Sequence, residues 1–141
     1  MHLKFNKTFL GLCVPLTLLG QPRTTSDYIH NPNWDDIPVK EVIKCIAPAY
    51  KQNPVLIDKV VFKESSYNPN AIHDNNKGRG VAGFHKTTFE GWNKQYFKET
   101  GEVLSYDSSL DQVKLLSWAF SKGEKYRNAW SSYRHIKQGK V

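Results

Sequence analysis

The sequence has little of what a disulfide-stabilised, metal-binding or repeat protein needs. Only two of its 141 residues are cysteines, and its five histidines show no helical spacing typical of zinc ligands. Cys13 and Cys45 fall in segments of different character, which argues against a disulfide framework, and Cys45 lies among apolar residues, where we expect a buried small side chain. The chain contains no internal repeat, and strand signals are nearly absent. The sequence therefore predicts no metal site.

Acidic side chains are also in the minority. Thirteen Asp and Glu residues against 20 Lys and Arg residues give a formal net charge of +7. Such a charge attracts anionic polymers, which include envelope polymers and nucleic acids. The basic residues are spread over the whole chain, however, and the sequence lacks zinc-ligand spacing, a basic helix with heptads and an aromatic sheet motif. We therefore expect a basic, solvated surface and no nucleic-acid partner.

The chain is long enough for one domain, which follows two short N-terminal segments. Residues 1–20 combine early lysines with a short apolar run, which is typical of a secretory signal peptide. Leu18 makes a poor cleavage site, so an uncleaved membrane anchor, and with it a membrane tether, remains the alternative. We expect residues 21–37 to form a linker and residues 38–141 to form the domain. We expect the protein to be exported to the periplasm, the cell envelope or the extracellular space.

Apolar residues recur at helical spacing through the domain. The predicted helices are residues 39–50, a segment that begins at Asn53-Pro54, residues 87–100 ended by Gly101, a segment capped by Ser109, and a last helix in the tail. A short β-hairpin is expected within residues 73–84. The fold class is therefore a small, mainly α domain.

Glu64 occupies an unusual place in this pattern. It lies three residues after Val61 and four after Val60, so it shares the apolar stripe of the second predicted helix. Partial burial favours the neutral form of a carboxyl group, and a neutral carboxylic acid can donate a proton to the leaving oxygen of a glycosidic bond. The alternative is a surface Glu that turns into solvent or pairs with Lys63 or another cation.

The residues that follow Glu64 match a known signature. Glu64–Ala71 reads ESSYNPNA, which closely resembles the catalytic signature of the soluble lytic transglycosylase and goose-type lysozyme superfamily. There, a Glu ends a helix, a Ser follows, and an aromatic-Asn-Pro-Asn-Ala turn comes next. GRGVAGFHKTTFEGW at residues 78–92 and SLDQVKLLSWAF at residues 109–120 are similar to the family's next two segments. The resemblance covers about residues 39–133, and ESSYNPNA is its most specific part.

The resemblance implies a lysozyme-like fold that acts, as a monomer and without a cofactor, on peptidoglycan glycan strands. Glu64 would be the sole catalytic acid and then the base. It would protonate the oxygen between N-acetylmuramic acid and N-acetylglucosamine, and the muramic acid 6-hydroxyl would attack to give a 1,6-anhydro product. Attack by water instead would make the protein a muramidase, and Asp74 is the nearby carboxylate that such a reaction could use.

The resemblance also implies a substrate-binding groove. Ser65 would form a hydrogen bond near the catalytic carboxylate or the substrate, although its hydroxyl could equally cap its own helix end. Phe84 falls in the glycine-rich groove segment. Trp130 and Tyr133 fall where the family places aromatic residues beside the groove, and they either stack on sugars or pack in the core.

One residue departs from the family pattern. The family's groove Gln is replaced by Gly83 in an ungapped alignment, or is missing from GFHK at residues 83–86 when the first glycine is aligned. Either the backbone or His85 supplies the missing contact, or the groove is weakened. The second hypothesis is therefore a non-enzymatic envelope protein of the same fold that binds peptidoglycan.

Overall fold

The computed structural model describes residues 37–140, so the predicted signal segment and nearly all of the predicted linker lie outside the described residues. The described chain is mainly helical with one small antiparallel sheet, which confirms the mainly α prediction. The helices are α1 (Val39–Ala49), α2 (Pro54–Ser65), α3 (Lys86–Thr100), α4 (Ser109–Ser121), α5 (Glu124–Arg127) and α6 (Ser131–Lys137). The strands are β1 (Ile72–His73), β2 (Gly78–Arg79) and β3 (Phe84–His85).

Helix α2 begins and ends through local backbone chemistry. The Asn53 side chain accepts a hydrogen bond from the Val55 amide at 2.9 Å, and Pro54 takes the first helical position, as the sequence predicts. The helix ends at Ser65, because Ser66 adopts a left-handed conformation with φ of 50°. Glu64 therefore lies in the last turn of α2.

Helix α4 is the centre of the fold. It packs against α1 on one side and against α3 and α5 on others, and every residue from Gln112 to Phe120 is buried. The sequence predicts one apolar face, whereas the structure buries the whole circumference, including Lys114 and Ser117. The side chain of Ser108 caps the helix by accepting a hydrogen bond from an amide in its first turn, so the cap lies one residue before the predicted Ser109.

The predicted hairpin is a three-stranded antiparallel sheet with strand order β1-β2-β3. His73 of β1 is opposite Gly78 of β2, and Gly78 is in turn opposite His85 of β3. Asp74 and the two residues after it adopt positive φ angles in the β1–β2 turn, a conformation that Asn and Asp tolerate better than most residues. The residues between β2 and β3 lie close to the end of α2, where Gly83 is beside Glu64 and Val81 is bonded to Ser65.

Cys45 of α1 is buried, as predicted, with 6% of its surface exposed. It is also disulfide-bonded. The sequence predicts a buried side chain and no disulfide framework. That prediction is corrected here, because spacing along a chain does not determine which cysteines lie close enough in space to bond. In residues 37–140, no helix is both long enough and apolar enough to cross a membrane.

Candidate functional site

Glu64 lies in the wall of an open cleft of about 150 Å³. The cleft is lined by Glu64, Asp74, Gly83, Phe84, His85, Thr88, Trp92, Ala129, Trp130 and Ser131. The Glu64 side chain is half-buried, and within residues 37–140 its carboxylate has no hydrogen-bond or ion-pair partner. The alternative in which Glu64 pairs with Lys63 is therefore not observed. A half-buried carboxyl group without a partner is able to exchange a proton with a molecule in the cleft.

Gly83 forms the part of the cleft wall that contacts Glu64. Its φ angle is +64°, and a Cβ atom at this position would lie 2.9 Å from Oε2 of Glu64 and 3.5 Å from Nε2 of His73. Any side chain here would face both a strained backbone and a steric overlap. A glycine at position 83 is therefore required for the carboxylate to lie where it does, and the residue cannot supply the side-chain contact of the family's Gln.

Ser65 contacts two backbone carbonyls. Its hydroxyl donates to the carbonyl of Val81 at 2.8 Å and also lies 3.1 Å from the carbonyl of Val61 in its own helix. The helix-end contact that the sequence analysis offers as an alternative is thus present. The contact with Val81 also joins the end of α2 to the glycine-rich segment.

Asp74 and His85 form a hydrogen-bonded pair in the lining of the cleft. Nε2 of His85, in β3, lies 2.7 Å from a carboxylate oxygen of Asp74, in the turn that joins β1 to β2. The hydrogen bond with His85 lowers the pKa of Asp74, with smaller effects from nearby positive groups. Because both residues line the same cleft as Glu64, a second carboxylate stands beside the candidate acid.

The two aromatic residues predicted near the groove differ in their placement. Trp130 lines the cleft but is only 6% exposed, and its indole N–H donates to the carbonyl of Ala82 at 2.8 Å. Tyr133 is equally buried, does not line the cleft, and donates its hydroxyl to Glu124 at 2.7 Å. The sequence leaves open whether Tyr133 stacks on sugars or packs in the core, and its position corresponds to packing.

Phe84, the third predicted aromatic contact, is 2% exposed and packs edge-on against the rings of Trp92 and Trp130, at 6.1 Å and 5.2 Å between centroids. It belongs to the cleft lining, although little of its ring is exposed. Lys86, which follows His85 in the family's Gln region, is largely exposed and lies 4.0 Å from Glu90 in a helical ion pair. It is not among the residues that line the cleft.

Trp92 and Thr88 line the cleft although the sequence analysis does not assign them to it. Trp92 shares a helical face with Phe89 and Tyr96 in the sequence, which favours a core position. Those two residues are buried, whereas Trp92 is half-buried.

The described residues contain no cluster of three or more His, Cys, Asp or Glu side chains that could share a metal ion. No protein-family model, no curated protein and no solved structure matches this chain. The resemblance to lytic transglycosylases therefore depends on the quoted sequence motifs.

Proposed function

We propose that this protein is a peptidoglycan lytic transglycosylase, exported from the cell, which cleaves the β-1,4 bond between N-acetylmuramic acid and N-acetylglucosamine. The observation that carries the proposal is the position of Glu64. The one acidic residue of the ESSYNPNA motif is half-buried at a helix end, unpaired within residues 37–140, and in the wall of a cleft.

The proposed reaction uses Glu64 twice. In its neutral form, the carboxylic acid gives its proton to the glycosidic oxygen while the bond from this oxygen to C1 of the muramic acid breaks. The resulting carboxylate then accepts the proton of the muramic acid 6-hydroxyl as that oxygen bonds to C1. The product carries a 1,6-anhydro ring, and Glu64 returns to its protonated state without a metal, a redox step or a bound cofactor.

A muramidase is the second candidate, and the position of Asp74 favours it. Asp74 lines the same cleft as Glu64, and glycosidases that use water commonly need a second carboxylate. Its hydrogen bond with His85 favours the charged form, which could activate water or stabilise positive charge on the sugar.

A peptidoglycan-binding protein without activity remains the alternative from a different class. No Gln side chain is present among the residues that line the cleft. Gln112 packs behind the cleft wall, where its amide is fully engaged with backbone groups. Such a protein would bind glycan strands but release no fragments from them.

Mass spectrometry of the fragments released from purified peptidoglycan separates these functions. A transglycosylase gives muropeptides with 1,6-anhydromuramic acid ends. A muramidase gives reducing ends that are one water, or about 18 Da, heavier. Binding without soluble fragments would support the non-enzymatic alternative and contradict the proposal.

A further inference from the structure

The segment from the last residue of β2 to the first residue of β3 is held by side chains from elsewhere in the fold. This segment, residues 79–84, contains Gly83, whose Cα lies beside the Glu64 carboxylate. Short irregular segments of this kind have few regular backbone partners, so side chains must satisfy their N–H and C=O groups if the segment is to stay in place.

Gln112 of α4 makes the most contacts with this segment. Its side-chain oxygen accepts from the amide of Ala82 at 3.1 Å, and its side-chain nitrogen donates to the carbonyls of Arg79 at 3.1 Å and Tyr106 at 2.8 Å. Gln112 is 2% exposed, so these contacts are shielded from water. Gly80 leaves room for this amide, because a Cβ atom there would lie well inside contact distance of the Gln112 side chain.

Three further side chains bind carbonyls in the same segment. The indole N–H of Trp130 donates to Ala82 at 2.8 Å, and the hydroxyl of Tyr106 donates to Phe84 at 2.6 Å. Ser65 donates to Val81 at 2.8 Å. Together with Gln112, these three side chains hold the segment. They come from α2, from the loop before α4 and from the residue that precedes α6, whereas Gln112 comes from α4.

Ser65 has a particular place among these contacts. It is the residue next to Glu64 on α2, so its hydrogen bond to Val81 connects the helix end that carries the acid to the segment that carries Gly83. The other side chains fix the segment relative to the core. Within residues 37–140, the Ser65 hydrogen bond is the one that joins the segment directly to the helix of the candidate acid.

We infer that Ser65 and Gln112 are positioning residues that hold residues 79–84 against Glu64, so that Gly83 forms a rigid wall beside the carboxylate. This inference rests on the proposed function for its effect on rate. It gives Ser65 a role through the protein backbone, which replaces the direct contact with substrate that the resemblance implies.

The test compares Ser65→Ala with Ser117→Ala. Both variants remove one serine hydroxyl, but Ser117 is buried in α4, and its hydroxyl has no hydrogen-bond partner among residues 37–140. We expect Ser65→Ala to lower kcat on soluble glycan fragments by about ten- to a hundredfold, with KM changed by less than about twofold, because misplaced groups affect the reaction step more than binding. Ser117→Ala should keep both values, and Ser65→Thr, which retains a hydroxyl, should recover most of the rate.

Hydrogen exchange of the backbone amides supplies a readout that does not need activity. In Ser65→Ala we expect the amides of Ala82 and Gly83 to exchange about tenfold faster or more, with amides in the core of α4 unchanged. A kcat for Ser65→Ala within about twofold of the wild-type value would overturn the inference. If the wild-type protein releases no fragments, the proposed function fails, and exchange alone decides: faster exchange supports the positioning role, and unchanged exchange overturns it.

Discussion

Oε2 of Glu64 lies 2.9 Å from the point at which a side chain on Gly83 would begin. The carboxylate can therefore occupy this position only because residue 83 has no side chain. Gly83 also has a φ angle of +64°, which only glycine adopts without strain. The two observations together make this position a direct test of whether the geometry around the acid matters for function.

Gly83→Ala should abolish most of the activity. The new methyl group would displace the Glu64 carboxylate, and the positive φ angle would cost about 1 kcal/mol of folding free energy. The matched control is Gly91→Ala in helix α3, where a Cβ atom would contact nothing within 4 Å. This control should keep its activity and raise the free energy of unfolding by about 0.5–1 kcal/mol. Equal activity in the two variants would show that the close contact has no functional role.

The hydrogen bond between Asp74 and His85 should make stability depend on pH in the acid range. The folded-state pKa of Asp74 is lowered, so its stabilising effect is fully present above the unfolded value of about 3.9 and is lost as the pH falls through the lower folded value. We expect wild type to melt at a higher temperature than Asp74→Asn at neutral pH, and the difference to vanish in strong acid.

The control for this measurement is Asp107→Asn, which removes a negative charge at another exposed position. Because the Asp74–His85 pair is exposed to solvent, added salt should also reduce the difference between wild type and Asp74→Asn. A melting difference that stays constant from neutral pH to strong acid would contradict the role given to this pair.

Trp92 should contribute to glycan binding, whereas Tyr133 should not. Trp92 is half-buried in the cleft wall, and an aromatic face there can pack on a sugar ring. We expect Trp92→Ala to weaken binding of a soluble glycan fragment by about 0.5–1.5 kcal/mol, measured by calorimetry on variants shown to be folded. Tyr133→Phe, which removes only the hydroxyl bonded to Glu124, should bind like wild type. Weaker binding by Tyr133→Phe alone would reverse this assignment.

A buried ion pair should stabilise the centre of the fold. The ammonium group of Lys114 is almost fully buried in α4 and lies 2.6 Å from the carboxylate of Glu102, which also accepts a hydrogen bond from Tyr96. Glu102→Gln should lower the free energy of unfolding by about 1–3 kcal/mol, because it leaves a buried charge without its nearest partner.

The matched control is Glu90→Gln, which removes the partner of Lys86 in an exposed pair at 4.0 Å. Its free energy of unfolding should change by less than about 0.5 kcal/mol in denaturant titrations. A cost for Glu102→Gln as small as that of the control would mean that burial adds nothing to the Lys114 pair.

The sequence predicts well those features that local chemistry determines. The Asn53-Pro54 start of α2 and the Gly101 end of α3 both occur as predicted, because capping groups and a left-handed glycine act within a few residues. The position of Glu64 at a helix end also follows from periodicity alone. The clustering of Asp74 and His85 beside it does not, because it depends on how three short strands pair.

Burial around α4 is the main feature that periodicity could not give. Lys114, Gln112 and Ser117 interrupt the apolar pattern and would be expected on a solvated face. They are buried because other helices pack around α4, and these contacts exist only in the assembled fold. The burial of Trp130 has the same cause, since its indole N–H donates a hydrogen bond to a carbonyl that is 48 residues away in the sequence.

The most direct test of the central claim is the release of fragments from purified peptidoglycan by wild type and by Glu64→Gln, with Glu90→Gln as the control for loss of one carboxylate. The account predicts 1,6-anhydro fragments from wild type and from Glu90→Gln, and a rate lower by about a hundredfold or more for a folded Glu64→Gln variant. Fragment release by Glu64→Gln at the wild-type rate would contradict it.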